Sequence, residues 1–171
     1  VAPQEIAVLY RTNADAAYIS RALERERIAY RVESNRNILD DPHIAQFVTL
    51  LRTVANFGEE EFLSRVLYAR FLGLAYIDIF KIHKYSSRNH IGLYDIVTNE
   101  KHLKDAGVAD HKKIFVFGKR LTKWATAARN DVVTDVFNTV LDESGFLTSA
   151  LNSVRSVEML EKLHVFARTI E

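Results

Sequence analysis

The chain has 171 residues, 48% of them hydrophobic and 26% charged, with a formal net charge of +1. That length and balance suit a soluble globular chain of one domain or two small ones, and exclude a highly basic nucleic-acid wrapper while allowing a local basic face. The absence of cysteine excludes disulfides and thiolate metal sites and fits a reducing, cytoplasmic setting.

Ile6 to Leu9 is an unbroken apolar run, suited to a strand buried on both faces. It stops at Tyr10-Arg11-Thr12-Asn13. Apolar positions Ala17, Ile19, Ala22 and Leu23 then predict a helix to about Arg27, with Asn13 as its N-cap. Ile28 to Val32 reads as a second short strand. Residues 5–33 are thus expected to form a compact βαβ unit, whose loop after the first strand is where open α/β sheets hold ligands.

Ser34 to Asp41 reads as a polar loop, and Asp41-Pro42 as a helix start with Asp at the N-cap and Pro at the first helical position. His43 to Asn56 follows, with Ile44, Phe47, Val48 and Leu51 at helical spacing. Gly58 breaks that helix, and Glu59-Glu60-Glu61 places negative charge at the start of the next. The chain turns at Gly73, is helical from Ala75 to Tyr85, and forms a loop from Ser86 to Gly92. Leu93 to Gly107 reads as short helical turns and as the best subdomain boundary.

From His111 to Arg129, residues Ile114, Phe117, Leu121, Trp124, Ala125 and Ala128 share one helix face. Lys112, Lys119 and Lys123 project from the opposite face, as a solvated stripe or as a phosphate contact. Asp131 to Ser144 is a further helix ended by Gly145. Phe146 to Asn152 makes a turn and short helix, and Ser156 to Ile170 a last amphipathic one. Gly145 and Thr148, at the turn between two helices, are a second candidate for phosphate contact, through the backbone N–H groups that open the next helix. The fold class expected is α/β turning to mainly α, a short βαβ segment followed by a helical domain. No apolar run is long enough to span a membrane, and the start is not a signal peptide. Both ends read as cuts in a longer protein.

Most catalytic patterns are missing. The six histidines show no metal-binding spacing, and no nucleophile elbow occurs. Gly118-Lys119-Arg120 resembles a phosphate loop only superficially, because Lys113 stands where the earlier glycine belongs and the helical pattern runs through it. Tyr10 and Arg11 differ. An Arg after a buried strand can hold a phosphate with both arms of its fork, and the Tyr beside it can offer a ring face to a base.

Ile6-Ala-Val-Leu-Tyr-Arg-Thr-Asn-Ala14, Ser20-Arg-Ala-Leu-Glu24, Ile28-Ala-Tyr-Arg-Val32 and Asp41-Pro-His-Ile44 occur in that order. With Leu50-Leu-Arg-Thr-Val-Ala-Asn56, Glu61-Phe-Leu-Ser-Arg-Val-Leu67, Leu141-Asp-Glu-Ser-Gly-Phe-Leu147 and Glu158-Met-Leu-Glu-Lys-Leu163, the sequence resembles the UvrD/Rep/PcrA-type superfamily 1 DNA helicases. The resemblance implies that residues 1–105 are the first part of a second RecA-like domain, of the P-loop NTPase type, and residues 106–171 the start of its helical insertion. It implies that Tyr10 stacks on the adenine of ATP and that Arg11 is a catalytic contact to the γ-phosphate. Mg2+ would be bound elsewhere in the parent. The partners implied are single-stranded and junction DNA and the remaining helicase domains.

Two stretches depart from the family. Ala69-Arg-Phe-Leu-Gly-Leu74 replaces a proline- and glycine-rich turn, and Glu33-Ser34-Asn35 stands where glycines are expected. Two other readings stay open: a helical protein–protein interaction module with Arg11 vestigial, and a small nucleotide-binding α/β domain. The first is distinguished from the leading reading by whether the parent carries the remaining helicase motifs on either side of this stretch.

Overall fold

The computed structural model describes residues 5–32, 38–153 and 156–168. These residues form ten α-helices and two 3-10 turns, with no strand among them. The helices are α1 (Asn13–Arg25), α2 (Pro42–Ala55), α3 (Glu60–Val66), α4 (Tyr76–Asn89), α5 (Leu93–Val97), α6 (Glu100–Asp105), α7 (His111–Asn130), α8 (Val133–Glu143), α9 (Phe146–Leu151) and α10 (Ser156–Arg168). The 3-10 turns are Ile38–Asp40 and Arg70–Leu72.

The expected βαβ unit is therefore corrected to a single helix between two irregular stretches, and the fold class from α/β to all-α among the described residues. A strand exists only through hydrogen bonds to a neighbouring strand, and neither Ile6–Leu9 nor Ile28–Val32 has one here. Nor is the apolar run covered. Ile6, Val8 and Leu9 are 64%, 55% and 95% exposed, and among the described side chains of residues 5–32 only Ala16 is buried. The helix itself starts one residue earlier than expected. Thr12, not Asn13, is its N-cap, in a reciprocal capping box with Asp15 that satisfies two backbone donors.

The helical body is built as its pattern dictates. Asp41 caps α2 by accepting from the His43 backbone N–H at 2.9 Å, and Pro42 takes the first helical position. The buried face of α2 (Ile44, Phe47, Leu50, Val54) packs on α3 and α7. The longest helix, α7, also meets α5, α6 and α8, and α9 joins α8 to α10. One contiguous apolar core runs through these helices, with Trp124, Phe47 and Phe146 among its largest fully buried side chains. Phe47 stacks on Phe146 at 4.6 Å between ring centroids, and Phe71 meets Phe146 edge-on at 5.4 Å.

Helix α4 continues four residues past Tyr85, through the expected Ser86–Gly92 loop as far as Asn89. His90 closes it in the left-handed region. Ala69–Leu74 forms a tight turn despite lacking the proline, because Gly73 adopts φ +57° after the 3-10 turn. Glu33-Ser34-Asn35 and the last three residues lie outside the described residues. Lys162 on α10 donates to Asp41 at 2.7 Å and pairs with Glu158, fastening the last helix to the start of α2.

Candidate nucleic-acid interface

A cleft of about 870 Å³ opens between the Phe71–Leu74 turn, one side of α7, and the α8–α9 turn. Its lining includes Lys112, Lys113, Arg120, Glu143 and Gly145. Lys113 Nζ donates to the Gly73 carbonyl at 2.6 Å, and Arg120 donates to the Glu143 carbonyl at 2.8 Å. These two bonds hold cationic side chains across the cleft from α7 to each opposing turn. Gly145 sits at φ +83°, a conformation that costs a side-chain-bearing residue free energy and lets the chain reverse into α9.

The three lysines of the expected stripe have different surroundings. Lys112 is exposed at the cleft. Lys119 lies over the Phe115 ring at 5.3 Å and lines a different groove, with His102 and Asn99. Lys123 donates to the Glu143 carboxylate at 2.7 Å. Thr148 is exposed on α9, outside the cleft lining. The structure thus brings Lys112 and Gly145 to one cleft and separates Lys119 and Thr148 from it. Lys113 and Arg120 were missed by the stripe pattern. They are seven residues apart, beside the stripe on the same helix, and that spacing was the available signal.

Glu143 is held by three donors. Its carboxylate accepts from Lys123 and from the Trp124 indole N–H at 2.8 Å, and both bonds keep its pKa below the usual carboxylate range. Tyr10 is half-buried and Arg11 exposed, just ahead of the Thr12 cap. Among the described residues no group of three or more His, Asp or Glu is placed to hold a metal ion. No helix among them is long and apolar enough to cross a membrane.

Residues 2–164 match the model of the UvrD-like helicase C-terminal domain. The chain belongs to the UvrD-like helicase C-terminal domain family. Over 168 residues it is 21% identical to the ATP-dependent DNA helicase Rep of Buchnera aphidicola, covering 93% of this chain and 26% of that protein. It is 28% identical over 91 residues to the ATP-dependent DNA helicase PcrA of Staphylococcus epidermidis, covering 53% of this chain and 12% of that one. With PcrA of Staphylococcus aureus the identity is 25% over 92 residues, 54% of this chain and 13% of that protein. The matched stretch is thus about a quarter or less of each relative's length.

The expected identification of the chain with the start of a RecA-like domain is corrected accordingly. What stands is a UvrD-like C-terminal helicase domain that is helical in its described residues, with neither a strand among them nor a phosphate-loop motif in the sequence.

Proposed function

We propose that this UvrD-like C-terminal domain is a helical interaction module of an ATP-dependent DNA helicase, without ATP hydrolysis of its own. It docks on the remainder of its parent through the apolar segment before α1. The observation that carries this reading is the exposure of Ile6, Val8 and Leu9 beside a helical core that is closed without them. Fully burying one such side chain is worth about 1.5–3 kcal/mol, so three within one short segment supply a strong drive toward a protein partner. The small share of each relative that the chain covers supports a parent with further domains as that partner.

The test is a two-piece association assay between this chain and the rest of its parent. Leu9→Asp should weaken binding by at least about tenfold, the loss of one buried apolar anchor. The helical circular-dichroism signal should be unchanged, because Leu9 lies outside the core. Unchanged affinity would refute the docking role.

A second reading is favoured by the cleft. Lys112, Lys113 and Arg120 line the same cleft as the Gly145 turn, where they outnumber the carboxylates of Asp142 and Glu143, and clustered cations of this kind suit a nucleic-acid backbone, with binding that weakens steeply in salt. In that reading the module also touches DNA held by the parent. Tyr10 and Arg11 end the docking segment, so the same docking is what carries them toward ATP bound with Mg2+ in the parent. An arginine delivered in this way stabilises charge developing on the transferred phosphoryl group.

A further inference from the structure

Packing within this chain does not aim Arg11. The residue is exposed, and among the described side chains of residues 5–32 only Ala16 is buried. What holds the chain beside Arg11 is polar and local. Asp15 Oδ2 accepts the Thr12 backbone N–H at 3.0 Å and the Thr12 hydroxyl at 2.7 Å. The Asp15 N–H donates in return to Thr12 Oγ1 at 3.3 Å, and the Thr12 carbonyl accepts from the Ala16 N–H at 3.3 Å. These bonds converge on one residue, the immediate neighbour of Arg11.

They have two directions of action. The bond into Thr12 Oγ1 satisfies a backbone donor that the first turn of α1 leaves open, which is ordinary helix capping. The bond from the Thr12 N–H to Asp15 acts backward, on the chain ahead of the helix. That N–H and the Arg11 carbonyl belong to one planar peptide unit. Fixing the N–H therefore fixes the plane from which the Arg11 side chain departs, and Thr12 itself is held extended at φ −127° and ψ 154°. With the plane released, rotation on either side of it would sweep the guanidinium, at the end of a long side chain, away from a single direction. We infer that, on the reading given above in which Arg11 reaches ATP in the parent, Asp15 is its positioning residue: through the Thr12 N–H it sets the direction in which the guanidinium is presented.

The test is steady-state ATP hydrolysis by the full-length parent carrying substitutions at Asp15 and Arg11. Misplacing a group that acts on the transition state lowers kcat, so Asp15→Ala should reduce kcat by about ten- to a hundredfold with KM for ATP unchanged. Asp15→Asn should restore most of the rate, because an amide oxygen can accept the same two bonds from Thr12. Thr12→Val, which removes the hydroxyl and keeps the backbone N–H, should cost less than Asp15→Ala. In an Arg11→Ala background Asp15→Ala should cost nothing further, since the two residues act as one unit. The melting midpoint of the helical core should stay the same in each variant, as the capping box lies outside it. Near-normal kcat for Asp15→Ala, beside a large loss for Arg11→Ala, would overturn the positioning role and leave the role of Arg11 standing. A loss on Asp15→Ala that persists undiminished in the Arg11→Ala background, or that appears only in KM, would overturn it as well. Near-normal turnover for Arg11→Ala itself would remove the reading of Arg11 and the positioning role together.

Discussion

Glu143, the last residue of α8, accepts the indole N–H of the fully buried Trp124 on α7 at 2.8 Å, and the same carboxylate takes Lys123 at 2.7 Å. The two bonds differ in worth. The Lys123 ammonium is largely solvated, and exposed ion pairs contribute little. Without Glu143 the indole N–H is left buried and unpaired, at a cost of about 1–3 kcal/mol. Glu143→Ala should therefore destabilise the fold by about 2 kcal/mol in urea unfolding, and Lys123→Ala by less than about 0.5 kcal/mol. Equal effects would show that the ion pair, not the indole, is what matters.

Asp78 ties the Ala109–Asp110 backbone at the start of α7 to α4. Burial pushes its carboxyl up, but the Ala109 and Asp110 N–H groups and the Lys81 ammonium outweigh this, leaving the group below its ordinary value of 3.8. The folded state then binds fewer protons than the unfolded chain. Its stabilisation is complete above the ordinary value and is lost as pH falls through the lowered one. Urea midpoints measured across that acid range should fall, and Asp78→Asn should flatten the dependence while lowering stability at neutral pH.

Gly118 lies where α7 crosses α5, and a Cβ there would stand 2.3 Å from the Val97 carbonyl oxygen. The neighbour is backbone and cannot swing aside. Gly118→Ala, ordinarily favourable in a helix, should instead cost about 2–3 kcal/mol by forcing the two helices apart. A rise in thermal midpoint would show that this crossing is looser than the structure has it.

Helices were legible wherever their signals were local. Asp41-Pro42 marks the start of α2, Gly145 the end of α8, and the spacing from Ile114 to Ala125 the buried side of α7. The capping box at Thr12 and Asp15 was equally local, but the amide of Asn13 drew the assignment away from it. The polar run Ser86–Asn89 looked like a loop because composition alone does not distinguish a solvated last helical turn. The strands failed for a different reason. Ile6–Leu9 has the composition of a buried strand, yet pairing and burial depend on chain far from it, and here neither occurs. The lysine stripe was visible on the helical wheel, whereas Glu143, which claims Lys123, comes from another helix.

The proposed place of Arg11 makes a kinetic prediction. The isolated chain should not hydrolyse ATP, and DNA-stimulated turnover by the purified chain would rule out a module that depends on its parent for hydrolysis. In the parent, Arg11→Ala should lower kcat by about 10³-fold, the typical effect of removing an arginine finger. Arg11→Lys should rescue poorly, since a point charge does not reproduce the planar fork. Near-normal steady-state turnover of the Arg11→Ala parent would remove Arg11 from the nucleotide site.

The docking of residues 5–10 is tested most directly by amide hydrogen exchange, residue by residue, in the isolated chain and in its full-length parent. In the isolated chain Ile6, Val8 and Leu9 are exposed and unpaired by any strand, so their amides should exchange at nearly the unprotected rate. Docking predicts strong protection of the same amides in the parent, while protection of the core of α2 and α7 stays the same. Equally fast exchange at Ile6, Val8 and Leu9 in both proteins would contradict the account.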